Sequence, residues 1–137
     1  MINDVGMYDE DFYFYHEETE WCYRINNSKW KVMFAPEIEI SHVGGGSTSS
    51  VFSASRIEFF RSRLIFWKKV FPAWQVTILY LWNLPKLLLD CVFYLLATLI
   101  TLGLNTRLRK KFIDRVVVIA WLASGKPEHW GLPNKCT

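Results

Sequence analysis

Three carboxylates crowd into four positions of the stretch HEETEWCYR, residues 16–24: Glu17, Glu18 and Glu20. A carboxylate can act as a general base when it stays ionised at a point a substrate can reach. The apolar residues that follow, Trp21, Cys22 and Ile25, recur at i, i+1 and i+4, so the acids fall in the first turn of an expected helix from Glu17 to about Ser28. A helix N-terminus favours negative charge by ~0.3–1 kcal/mol per acid, which is reason enough for glutamates there without catalysis. The same field keeps a carboxylate in the form a base needs. On this stretch alone both readings stay open.

Further on, His42 ends an alternating segment, Ile38-Glu39-Ile40-Ser41-His42, and Gly44-Gly45-Gly46-Ser47 follows it. A histidine at a strand end is either a hydrogen-bonded structural residue or a cation ligand. Consecutive glycines either form a hinge or let backbone N–H groups approach a phosphate. Neither feature is diagnostic singly.

The elements that must position these residues read as follows. Asp9-Glu10-Asp11 is a polar turn; Phe12-Tyr13-Phe14-Tyr15 and Trp30-Lys31-Val32-Met33-Phe34 read as short strands, the second ended by Pro36. From Ser55 the character changes. Ile57, Phe60, Leu64 and Trp67 recur at three- and four-residue steps among basic residues, predicting an amphipathic helix from Arg56 to Val70 that Pro72 ends. An apolar stretch then runs from Trp74 to Leu104, with an expected break at Asn83-Leu84-Pro85-Lys86. A last helix is expected from Phe112 to Ala123, ended by Gly125-Lys126-Pro127.

Taken in order, G-x-[Y/F]-D-E-D-F-x-x-Y-x-E-E-x-E-x-C-x-R, then K-W-K-V, then P-x-x-x-I-x-H-x-G-G-G-S resembles the C-terminal part of the catalytic domain of family 2 glycosyltransferases with the GT-A fold. The match is to bacterial rhamnosyltransferase-like enzymes of surface polysaccharide synthesis. It covers Val5 to about Ser47, and SRIEFFRSRLIFWKK at 55–69 resembles the basic helix that follows there. The resemblance implies an α/β fragment of a GT-A domain over residues 1–54, its N-terminal nucleotide-binding half absent, and a basic, hydrophobic helical tail over 55–137. It implies that Glu18, with Glu17 beside it, takes the proton of an acceptor hydroxyl as that oxygen attacks the anomeric carbon of a nucleotide-sugar donor. It places His42 at a divalent cation (Mn²⁺ or Mg²⁺), and Glu20, Gly44, Gly45 and Ser47 at the substrates. Glu18 stands where the family usually has Asp, one methylene shorter. The one acidic triple, Asp9-Glu10-Asp11, falls at the family's D-E-x-F turn and not at its D-x-D metal motif, so the isolated chain is expected to be inactive, with a separate N-terminal half as a candidate partner. The alternative is a membrane-associated accessory subunit without catalysis of its own.

Charge is strongly asymmetric. Residues 1–40 carry nine Asp/Glu against three Lys/Arg, and residues 51–137 carry four against thirteen. A basic half rich in aromatics fits anionic lipid headgroups better than nucleic acid, for which no binding module is recognisable. Basic residues flank the apolar stretch on both sides. An in-plane or re-entrant helix pair on the cytoplasmic face satisfies both flanks more easily than a single span does. A glycan or lipid-linked acceptor suits such a tail. Cys22, Cys91 and Cys136 form no CxxC pair and indicate neither a disulfide framework nor zinc.

Overall fold

The computed structural model describes residues 1–41 and 51–132. Its elements are a single turn α1 (Ile2–Val5), α2 (Glu17–Asn26), α3 (Phe52–Val70), α4 (Ala73–Ile100), α5 (Thr106–Ala123) and a 3-10 turn, Glu128–Trp130. No strand occurs among the described residues, so the fold is all-helical rather than the expected α/β fragment of a GT-A domain. The reason lies in pairing. An alternating or aromatic segment becomes a strand only when an edge is available to take its backbone groups. Trp30–Phe34 finds none. Its N-terminal end is caught by α2 instead, Val32 N–H donating to Asn26 Oδ1 at 3.1 Å, and Met33 and Phe34 are left 86% and 88% exposed. The part of Ile38–His42 that is described, up to Ser41, also joins no strand, Ile38 N–H donating to Ala35 O at 3.2 Å in a turn.

Phe12–Tyr15 is a turn that seats on α3. Phe12 is buried, Ser62 Oγ donates to Phe14 O at 2.7 Å, and Tyr15 and His16 both take left-handed backbone conformations, at φ of 68° and 66°. Lys69 of α3 holds the preceding acidic turn, its Nζ 2.5 Å from Asp9 and 2.6 Å from Asp11.

Pro72 separates α3 from α4 and sits at the N-cap of the latter, where its fixed φ and missing N–H do no harm. Inside α4, Pro85 does not break the helix. It removes one backbone donor, yet the 28-residue helix runs through it, about 42 Å long at 1.5 Å per residue. The expected interruption at Asn83–Lys86 is therefore absent. Asn105 caps α5, its Oδ1 accepting from Arg107 N and Leu108 N, so that helix starts six residues before the expected Phe112.

Helices α4 and α5 are antiparallel neighbours. Lys126 meets the Tyr80 ring, Arg115 meets Asp90, and Lys111 meets the Tyr94 ring, so positions rise on one helix as they fall on the other. The covered seam of α4 runs through Val76, Tyr80, Asn83, Leu87, Asp90 and Tyr94, steps of three and four that make a narrow stripe. Helix α3 closes the group, and Ile57, Leu64, Trp67, Val76 and Trp121 form the core. Arg61 ties α3 to the last turn: it pairs with buried Glu58 at 2.5 Å and donates to Pro127 O and Glu128 O.

Candidate functional site

The expected carboxylates do fall in the first turn of α2. Two arrangements fix that turn. Behind it, Glu20 is 5% exposed and accepts from Arg24 Nε at both carboxylate oxygens, at 2.7 and 2.9 Å. The same guanidinium donates to Val5 O and to Met7 O, so Glu20 acts through Arg24 to orient the N-terminal segment against α2. Its carboxylate is engaged within the fold. In front, the His16 ring lies between Phe59 and Phe66 of α3, 5.1 Å and 5.7 Å between centroids and nearly parallel to the second. Those contacts over-determine a backbone conformation that a non-glycine residue adopts only at a cost.

Glu17 and Glu18 face different surroundings. Glu18 is exposed, with the Thr19 hydroxyl 3.5 Å from its Oε1. Glu17 is half-buried, its Oε2 is enclosed without a hydrogen-bond partner, and burial pushes its carboxyl above the ordinary value of 4.5. Neighbouring Glu18 adds to that rise, against the opposing pull of the Glu17 backbone N–H. His16, beside them, also has an enclosed and partnerless atom, Nε2. Burial lowers its pKa from 6.5, Arg63 lowers it further, and Glu18 works the other way. The sequence reading passed over His16. Its position at the head of HEETEW was the available signal, because an N-cap residue shares the turn with the acids that follow.

This tip is therefore two carboxyl groups in unlike environments and an imidazole whose burial favours the uncharged form, a combination able to hold and move a proton. His42, Gly44, Gly45 and Ser47 lie outside the described residues. Among the described residues no group of three or more His, Cys, Asp or Glu converges as a cation site, so they do not by themselves fit the expected divalent cation. A broad cleft of about 920 Å³ lies between the acidic turn and helices α3 and α5, and neither Glu17 nor Glu18 lines it. The acids Asp9 and Asp11, at that cleft or its edge, are already bound to Lys69, whose hydrogen bond holds Asp9 below its ordinary pKa.

Helix α4 supplies a different kind of surface. It is long and apolar enough to cross a membrane, and little of its apolar stretch is covered. Trp74, Ile78, Leu81, Trp82, Leu89 and Phe93 are among its exposed side chains. A contiguous apolar face of this size is rare on a protein surrounded only by water. No family model, curated protein or solved structure matches the chain.

Proposed function

We propose that the chain is a membrane-surface component of a glycosyltransferase, in which the tip of α2 serves the acceptor sugar. The observation that carries this reading is the unlike pair Glu17 and Glu18 at a helix tip clamped from behind by Glu20 and Arg24. Glu18, exposed, takes the proton of an acceptor hydroxyl while its oxygen bonds to the anomeric carbon and the nucleoside diphosphate departs with the electron pair of the broken bond. Glu17 beside it modulates the charge of the tip through its own proton. Donor binding falls to residues outside those described or to a second polypeptide, and so does the cation, for which the sequence resemblance offers His42.

The membrane half of the proposal rests on α4. Lys86, Asp90 and Arg115 form a charged group beside the middle of this helix, with Asp114 and Arg56 next to them. In a helix standing across the bilayer that group would sit near the midplane, where each charge is costly. Lying in the plane of the membrane, α4 puts its exposed apolar flank into lipid and keeps the charged seam at headgroup level. We place it on the cytoplasmic face because basic residues border α4 on both sides.

The test is transfer of labelled sugar from nucleotide-sugars to saccharide and lipid-linked acceptors, with the chain on vesicles, alone and together with candidate donor-binding polypeptides. The chain alone should show no turnover. With its complement, Glu18→Gln should lower transfer about 10²-fold or more, the usual weight of a general base, while vesicle binding is unchanged. Full transfer by Glu18→Gln removes the catalytic role. It would leave the second reading, an accessory subunit without catalysis, which the engaged Glu20 and the large apolar flank of α4 favour.

A further inference from the structure

Two chambers meet between α3, α4 and α5. One is apolar, about 340 Å³, and extends past Leu84 and Pro85 along the side of α4. The other is polar, about 190 Å³, and contains four cations, Arg56, Arg63, Lys86 and Arg115, against two carboxylates, Asp90 and Asp114. Phe60, Arg63, Asn83 and Leu87 line both, so the chambers adjoin at these four side chains.

The pairing within the polar chamber is uneven. Asp114 lies 2.7 Å from Arg115 and 2.9 Å from Arg56, the latter a Coulombic contact off the hydrogen-bonding direction. Asp90 lies 3.3 Å from Lys86 and 3.4 Å from Arg115. Arg63 is left over. Its guanidinium is half-buried at the junction and rests on the rings of Phe60 and Trp67, at 4.2 and 5.0 Å, its Nε enclosed without a hydrogen-bond partner. Burial and the nearby charge of Arg115 both press its pKa down, and no carboxylate among the described residues is paired with it. Aromatic faces offset part of that cost but cannot accept its N–H groups in the way oxygens do.

We propose that this junction binds an anionic phospholipid, its phosphate on Arg63 with Arg56 and Lys86 near, and part of one acyl chain in the apolar chamber. A guanidinium fork suits phosphate as well as carboxylate, and a phosphate tethered to an acyl chain is the anion that also fills the apolar chamber beside it. The chamber opens along α4, the helix with the large exposed apolar flank, so a lipid reaches it from the surface on which the chain rests. The inference rests on the membrane-surface reading of α4 and not on sugar transfer. It would stand if Glu18→Gln proved silent.

The experiment uses the full chain purified in mild detergent. Native mass spectrometry and thermal melting are followed on adding phosphatidylglycerol, phosphatidylcholine or soluble glycerol phosphate. One phosphatidylglycerol per chain should bind and raise the melting temperature, with phosphatidylcholine at least tenfold weaker. Arg63→Gln should lose about tenfold in affinity, the weight of one charge-assisted hydrogen bond, and Arg63→Lys should recover part of it. Circular dichroism verifies that each variant folds. Leu84→Trp, at an exposed position on the rim of the apolar chamber, should also weaken phosphatidylglycerol binding, and it tests the site if Arg63→Gln fails to fold. Equal binding of both lipids, unchanged affinity in a folded Arg63→Gln, or glycerol phosphate binding as tightly as phosphatidylglycerol would each overturn the proposal.

Discussion

Two arginines, Arg24 on α2 and Arg63 on α3, show how differently one residue type is used. In the N-terminal region Arg24 has a carboxylate across both oxygens and two backbone carbonyls besides. In the helical bundle Arg63 has three aromatic rings and no hydrogen-bonded anion among the described residues. Both are partly buried, so both are withdrawn from water. The first is a finished structural joint. The second is a cation whose surroundings leave room for a partner from outside. Burial alone does not reveal a role; the state of the donors does.

The first way to break the contrast is to remove the packing on which the bundle rests. Trp121, 1% exposed, sits in the core and donates through Nε1 to Pro127 O. Trp121→Ala should cost about 3–5 kcal/mol, read as a lower midpoint in chemical unfolding and loss of the α4–α5 hairpin. If it cost under 1 kcal/mol, the hairpin would not be held as described.

A sharper comparison sets Arg24→Met beside Arg63→Met. Breaking a buried ion pair by deleting one member typically costs 3–5 kcal/mol. Arg24 keeps partial access to water, so about 2 kcal/mol is expected there. Arg63→Met removes a cation without stranding a carboxylate, and apo stability should stay within about 0.5 kcal/mol or rise. Equal losses in the two variants would show that Arg63 is as structurally committed as Arg24.

The smallest effects are those of pH at the α2 tip. Because the folded state raises the Glu17 pKa above 4.5, the folded chain binds that proton more tightly than the unfolded chain. Stability from this group therefore falls as pH rises from 4.5 through the raised value, and Glu17→Gln should remove that loss. His16 acts in the opposite direction. Its folded pKa lies below 6.5, so its contribution is full above 6.5 and lost as pH falls through the lowered value. His16→Phe should flatten the acid side of the profile between those points. Unchanged profiles in both variants would mean that the tip is open to water rather than half-buried.

Much of the helical part was legible in the chain. The acids preceding Trp21 and Ile25 mark the start of α2, the three- and four-residue spacing of Ile57, Phe60, Leu64 and Trp67 marks α3, and Pro72 marks its end. The absence of strands among the described residues was not legible, because the alternation of Trp30–Phe34 describes what a strand could be, not whether an edge exists to receive it. The continuity of α4 was equally hidden. A proline removes one hydrogen bond, and whether the helix survives depends on how the remaining turns are held. Of the candidate site, Glu17 and Glu18 could be placed on a helix tip from their neighbours in sequence, and Glu20 and Arg24 stand at the i,i+4 spacing that pairs side chains on a helix, while the grip of Arg24 on Val5 O and Met7 O exists only in three dimensions.

By itself the sequence determined the charge split, the basic and apolar character of the second half and the local periodicities of its helices, because these depend on residue types and short spacings. Tertiary structure alone decided that an all-helical arrangement replaces a sheet, that Asp90 and Asp114 are occupied by their neighbours, and that Arg63 is left over. Lys86 and Arg115 are near Asp90 and Asp114 in sequence, but Arg115 reaches Asp90 across 25 positions and Arg56 reaches Asp114 across 58, and no local pattern encodes those meetings.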